Sequence, residues 1–397
     1  MTLCFLSVWQ FNEFAGGVDR VCCQLSREFI QRGYKIIYLY GKPSKIGRPA
    51  EGCEGDGQYQ FPYENIWDNR NEAYCVDVLK KHNVDIVIDV AFVSRYHDIA
   101  YKAKEEYSFK LISNCHIDPF CDLKELRDNF DEIAFRQSNL IKRLSQQLLF
   151  FVKLPLSYYL RKKSLRRRFQ TKYDESDAYV FLCEGYAKKI QKMLNVPDGK
   201  VVSICNPINL SHEDTVVKQN QVAFVGRMTF QKRVDRLLRI WKIVEKKNND
   251  WNLVLVGDGD CLDTYKDYAK RHGLQRVEFL GATPSALILA QSKIVAVTST
   301  HEGFGMTLVE GMSVGAIPIA FDSYEAVRDI VNNDESGFVV KPYSTSQYAS
   351  KILQLIKSQQ LVEKMSQVSM GSVDKFNLSS VVDRWCILFD KLSERKC

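Results

Sequence analysis

No stretch of this sequence reaches the roughly 18 consecutive apolar residues that a membrane-crossing helix needs. Hydrophobic residues nevertheless make up 45% of the chain. A basic leader is also missing: Met1 to Trp9 runs straight into an apolar strand pattern, so a cytoplasmic chain without a signal peptide is expected. Twelve cysteines are present, but none forms a C-x-x-C pair or a Cys/His ligand spacing, which argues against zinc. The adjacent Cys22 and Cys23 lie in a helical pattern and are expected to fill a core as free thiols. The complete G-x-G-x-x-G of a dinucleotide site is lacking after the first strand. Acidic residues are absent from 136–172, where eleven basic residues fall; removing those charges from the formal +7 leaves −4 for the rest. The chain is thus mildly acidic with one basic arm.

At 397 residues the chain exceeds one ordinary core, and two domains are expected. Both halves open with a strand, a glycine turn and a helix. In the first half Leu3 to Val8 reads as strand, and Gly16-Gly17 ends the loop that follows. Val18 to Arg32 has helical apolar spacing that Gly33 terminates. Residues 43–73, rich in Gly, Pro and charge, read as an irregular insertion. A strand from Phe109 to Cys115 delivers His116 and Asp118 to its carboxyl end, where open α/β sheets bind ligands.

The second half restarts with a strand from Gln221 to Val225, then Gly226-Arg227 and Lys232 before a helix at about 233–246. Two cations at a strand-to-helix turn suit a diphosphate. The densest stretch comes later. An apolar run from Ile294 to Val297 leads into Thr298-Ser-Thr-His-Glu302-Gly-Phe-Gly-Met-Thr-Leu-Val-Glu310. Gly303 and Gly305 allow a sharp turn and close approach of a ligand. The first helical amides, near Phe304 to Thr307, lack intrahelical acceptors and sit at the positive end of the helix dipole, as a diphosphate requires. Glu302 in the turn and Glu310 one turn into the helix would repel phosphate, so both are expected to accept hydrogen bonds from hydroxyls.

The Glu-x7-Glu spacing around Gly303-Phe304-Gly305 resembles the signature of retaining glycosyltransferases of family four, of the bacterial polysaccharide or lipopolysaccharide type. Gly226-Arg227-x4-Lys232 and Gly16-Gly17-Val-Asp-Arg20 resemble two further turns of that family. Asn206-Pro-Ile-Asn209 is similar to its domain linker, with asparagine where aspartate is usual. The likeness is dense from 221 to 340 and sparse before 210.

The resemblance implies an α/β GT-B fold, two Rossmann-like domains facing a central cleft near residue 208. Residues 1–208 would form the acceptor-side domain and 209–375 the nucleotide-sugar domain, with a helix over 376–397 crossing back to the first. It implies His116 and Glu302 as catalytic residues at the donor sugar, with Asp118 a further candidate there. Glu310 would bind the ribose and Leu280 frame the base. Arg227, Lys232 and the amides of Gly303, Phe304, Gly305, Met306, Thr307 and Leu308 would hold the diphosphate. Gly16 and Gly17 would approach it from the first domain. No metal and no cofactor beyond the nucleotide-sugar are implied, because cations and amides neutralise the leaving group.

The activity so implied moves a hexose or N-acetylhexosamine, from UDP as the expected nucleotide, to a sugar hydroxyl of a lipid-linked or cell-surface glycan. Two alternatives stand beside it: a nucleotide-sugar 2-epimerase, and a non-enzymatic basic protein binding lipid or nucleic acid. Within the basic arm, Leu148 to Leu160 form an apolar and aromatic patch that Lys153 and Pro155 interrupt. Arg161, Lys162, Lys163, Arg166, Arg167 and Arg168 follow at once. Apolar residues beside a cationic run suit an anionic membrane surface. A peripheral protein on the inner face of the membrane is expected, with no nucleic-acid partner.

Overall fold

The computed structural model describes residues 1–44, 46, 52–91, 95–136, 140–197, 199–208 and 216–394; Asn209 lies outside them, as do the side chains of Arg136, Arg143 and Phe150. The chain divides into two compact units. The first comprises residues 1–116, 165–209 and 376–397, and the second 117–164 and 210–375.

The strands of the first unit are β1 (Thr2–Trp9), β2 (Lys35–Lys42), β3 (Gly57–Gln60), β4 (Ile86–Asp89), β5 (Lys110–Cys115), β6 (Ala178–Phe181) and β7 (Val201–Ser203). They form one parallel sheet in the order β3-β2-β1-β4-β5-β6-β7. Consecutive residues Leu3, Cys4, Phe5 and Leu6 are all buried, because helices cover both faces of a parallel sheet. The helices of the first half are α1 (Gly17–Gln31), α2 (Arg70–Lys81), α3 (Tyr96–Ala103), α4 (Cys121–Arg136), α5 (Leu140–Glu175) and α6 (Glu184–Leu194).

The second unit repeats the architecture with β8 (Gln219–Val225), β9 (Asn252–Val256), β10 (Val277–Gly281), β11 (Ser292–Val297), β12 (Ile317–Phe321) and β13 (Phe338–Val340). These are also parallel, in the order β10-β9-β8-β11-β12-β13. The helices of the second half of the chain are α7 (Val234–Glu245), α8 (Leu262–Arg271), α9 (Ala286–Gln291), α10 (Met306–Ser313), α11 (Ala326–Ile330), α12 (Thr345–Ile356), α13 (Gln359–Gly371) and α14 (Leu378–Glu394). In α7 the apolar residues Val234, Leu237, Leu238, Trp241 and Val244 recur at helical spacing and are fully buried against the sheet. Helix α14 belongs to the first unit and packs on α1: Phe389 meets Phe29 with ring centroids 5.4 Å apart, and Arg32 bonds Ser379 and Asp383.

The structure departs from the sequence expectations in four places. Residues 57–60 of the supposed irregular insertion form β3, extending the sheet beside β2. Cys23 and Cys53 are joined in a disulfide, so not every thiol is free. Pro155 lies inside α5, a helix of 36 residues that runs on through it; losing one intrahelical bond does not end a helix whose flanking turns persist. Residues 117–164, counted with the N-terminal half by sequence, cluster with the second unit.

Candidate functional site

In the second unit the turns after β8, β9 and β11 are laced together at the carboxyl ends of neighbouring strands. Met228 N donates to Asp258 O at 2.8 Å and Gly226 N to Val256 O at 3.0 Å. Gly257 has φ +133°, and a Cβ there would lie 1.9 Å from the Gly226 carbonyl oxygen. The glycine is therefore a structural requirement, since no side chain fits between turns this close.

After β8 a single 3-10 turn, Phe230–Lys232, is closed by Arg233 in the left-handed conformation at φ 51°. Ion pairs hold this uncommon backbone. Arg233 bonds Asp235 at 2.9 Å and Asp131 of α4 at 3.0 Å, and Arg236 bonds the same Asp131 at 2.8 Å. The turn after β11 is bonded to this one. Thr300 N donates to Gln231 O at 3.0 Å, Gln231 Nε2 to His301 O at 2.7 Å, and Thr298 Oγ1 to Lys232 O at 3.0 Å.

Together these bonds bring Lys232 Nζ to 2.6 Å from Glu302 Oε1, with the side chains only 17% and 14% exposed. Ser299 Oγ donates to the same carboxylate oxygen at 2.6 Å. Arg227, one turn away, is exposed and has no ion-pair partner among the described residues. Gly305, at φ +107°, precedes α10, whose first amides point away from any intrahelical acceptor. Thr307 Oγ1 anchors that helix to Val225 O at the end of β8, 3.3 Å away. Phe304 and Leu308 have buried side chains, so only their backbone can reach a ligand. Gly303, Met306 and Glu310 are half-buried on the same helix start and first turns. Leu280 lies one residue before the end of β10 at Gly281, whose carbonyl accepts from Gly257 N at 2.7 Å.

Helix α4 lies against these turns. Asp118, fully buried, accepts from Phe120 N and pairs with Lys124, which also donates to Ser323 O at 2.7 Å. Ser323 Oγ in turn donates to Ser299 O at 2.6 Å. His301 is buried with Nε2 3.6 Å from Glu125, and burial pushes its pKa down. Burial raises the Asp128 carboxyl.

The remaining sequence candidates lie in the first unit. Gly16 caps α1 in extended backbone and Gly17 has open space where a side chain would point; both are exposed, and neither is demanded by backbone conformation. His116 follows β5, is 8% exposed, and lies 2.8 Å through Nε2 from the Asn114 amide. Burial pushes its pKa down to about 4, which keeps the ring neutral.

Lys232 bonded to Glu302 and the start of α10 stand at the carboxyl ends of neighbouring strands, an arrangement chemically suited to an anion and to hydroxyls. A model described as Glycosyltransferase Family 4 matches residues 15–212, and one described as Glycosyl transferases group 1 matches 209–369. The chain belongs to glycosyltransferase family 4. Its GT-B fold is shared with HepE of Anabaena, solved in complex with UDP, at TM-score 0.74 and 14% identity over 98% of this chain and 100% of that one. The amylovoran biosynthesis glycosyltransferase AmsD of Erwinia amylovora is 32% identical over 45% of this chain and 51% of its own. The N-acetyl-alpha-D-glucosaminyl L-malate synthase of Bacillus anthracis is 27% identical over 96% of both. The chain spans about half the length of the first curated relatives it matches.

Sequence reasoning missed several residues of this candidate site. Ser299, Gln231 and Thr298 are ordinary polar residues whose role is visible only once the two turns meet. Asp128 and Asp131 carry no motif and sit about 100 residues before the arginines they hold. Tyr324 follows β12, about fourteen residues after Glu310, and carries no motif of its own.

Proposed function

We propose that the chain transfers a hexose or N-acetylhexosamine from a nucleotide-sugar, with UDP as the nucleotide, to a sugar hydroxyl of a glycan. One observation carries this: Lys232 and Glu302 meet at 2.6 Å beside the start of α10. The arrangement offers a cation and free amides to a diphosphate and a carboxylate to the sugar beyond it. Arg227 supplies the second cation, Glu310 meets the ribose, and Leu280 lies by the base. Neutral His116 serves as a hydrogen-bonding group at the donor sugar, from the acceptor-side domain that Gly16 and Gly17 also line. With charge neutralised by side chains and amides, the reaction needs no metal, and the anomeric configuration is retained. The solved UDP complex of HepE supports the choice of nucleotide.

The acceptor is a lipid-linked glycan at the inner face of the membrane. Helix α5 supports this: Leu148, Phe151, Val152, Leu156 and Tyr159 are each more than 60% exposed, and Arg161, Lys162, Lys163, Arg166 and Arg167 follow on its surface. No helix among the described residues is long and apolar enough to cross a membrane. An exposed apolar face beside cations is suited to lying in an anionic interface.

The test is a thermal-shift and hydrolysis screen over UDP-, GDP- and ADP-sugars, followed by product analysis with and without acceptor in EDTA. Stabilisation by a UDP-sugar and acceptor-dependent, EDTA-resistant product are expected. Conversion of the donor alone into an epimer would overturn the transferase assignment.

A further inference from the structure

Tyr324, in the turn between β12 and α11, is 2% exposed, and its hydroxyl has no hydrogen-bond partner. The ring packs as a phenylalanine would, so the fold gains nothing from the oxygen. A buried donor left unpaired is costly, and such groups are rare unless something else satisfies them. The hydroxyl is aimed at one place: a Cβ built on Gly305 would sit 3.0 Å from it. Gly305 is the residue immediately before α10, whose first amides are themselves unspent. An unused O–H and unused N–H groups therefore converge on the same point of the second unit.

We infer that Tyr324 is a phosphate-binding residue, its hydroxyl donating a hydrogen bond to an oxygen of the diphosphate held at the start of α10. This rests on the nucleotide-sugar function proposed above. The occupant must bring an acceptor, and the helix dipole with Lys232 nearby selects an anion. Burial, and then the charge of Glu302, raise the phenol pKa well above its ordinary value, so the group stays protonated and can only donate at neutral pH. Glu302 does not use it, being held by Lys232 and Ser299. Glycine at 305 keeps the line from the hydroxyl to the ligand open, and a side chain there would close it. As the sugar departs, charge accumulates on the phosphate nearest it, and a fixed neutral donor gains strength at that moment without having to reorganise.

The experiment compares wild type with Tyr324→Phe by calorimetry against UDP, UMP, uridine and inorganic pyrophosphate, and by thermal unfolding without ligand. The variant is expected to bind UDP and pyrophosphate about tenfold more weakly and uridine unchanged, with an unliganded melting temperature equal to or above wild type. Turnover should fall by more than the loss of UDP affinity. Unchanged UDP binding would overturn the inference, as would equal weakening of UDP and uridine. A large drop in unliganded melting temperature would also overturn it, by showing that the hydroxyl serves the fold. If the wild-type protein binds none of UDP, GDP, ADP or pyrophosphate, the nucleotide-sugar function itself fails, and Tyr324 with it. Wild-type binding with an indifferent variant removes Tyr324 alone.

Discussion

Truncating Arg227 and Lys232 one at a time separates what each does in the empty site from what each does for a ligand. Arg227 is exposed and has no ion-pair partner among the described residues, so Arg227→Ala should leave stability within about 0.5 kcal/mol of wild type. Its effect should appear only with the diphosphate. A charge-assisted hydrogen bond contributes about 1.5–3 kcal/mol, which is roughly a 10- to 150-fold loss of UDP affinity. Lys232 differs because it already bonds Glu302 at 2.6 Å with both side chains mostly buried. Lys232→Ala leaves that carboxylate with the Ser299 hydroxyl as a donor, at a cost of about 1–3 kcal/mol. For a unit of this size that is a fall of roughly 2–12 °C in melting temperature. It also leaves the Glu302 carboxylate, without its Lys232 partner, beside an arriving phosphate, so its UDP loss should lie at the upper end, about 3 kcal/mol.

Adding Glu302→Gln to Lys232→Ala removes that carboxylate charge. The double variant should therefore bind UDP more tightly than Lys232→Ala, with a coupling of about 0.5–3 kcal/mol. Calorimetry with UDP and uridine, beside thermal unfolding, measures all of these. Uridine has no phosphate and should bind every variant alike. If uridine weakens with UDP, or the double variant binds UDP no better than Lys232→Ala, the two cations support the fold and not a diphosphate.

Glu302→Gln alone should keep UDP binding within a few-fold while turnover falls by roughly 10² or more, as when a positioned polar contact is lost; near-normal turnover would remove Glu302 from the chemistry. His116, held near a pKa of about 4 against an ordinary 6.5, binds its proton more readily unfolded than folded. Stability should therefore fall as pH drops from 6.5 towards 4, by about 3 kcal/mol in all, and less in His116→Gln; an imidazole NMR midpoint near 6.5 in the folded protein would refute the buried neutral ring. Flotation with liposomes should need anionic lipid, weaken with salt, and drop sharply when Arg161, Lys162, Lys163, Arg166 and Arg167 become glutamine; equal binding to neutral liposomes would point to a different occupant of α5.

Much of the fold was legible because parallel α/β units write themselves in short apolar runs and glycine stops. Ile317 to Phe321 matches β12 residue for residue, and Gly33 and Gly273 end their helices at φ +86° and +65°. The candidate site was legible where chemistry is concentrated in one turn, as at Lys232 and at Glu302 to Glu310. It was illegible where polar residues matter only through what they touch. Nothing in the sequence distinguishes the Ser299 hydroxyl from any other, yet it shares the Glu302 carboxylate with Lys232.

The largest miss, residues 117–164, has a single physical cause. Sequence order assigns a segment to the half it sits in, whereas packing assigns it to the surface that satisfies its charges. Asp128 and Asp131 find Arg233 and Arg236, and Lys124 finds Asp118 and Ser323. Arg233 in particular holds a left-handed backbone conformation that an arginine adopts at a cost, and its carboxylate partners offset that cost. The same residues explain why the segment reads as featureless. Its apolar residues on α5, such as Leu148 and Val152, are exposed and so show no burial pattern, while α4 buries Asp128 beside Leu126. A segment whose α4 docks largely through ion pairs, and whose α5 leaves its apolar residues to solvent, inverts the rule by which buried faces are recognised. The inversion is itself informative, because exposed apolar surface on this scale marks an interaction site.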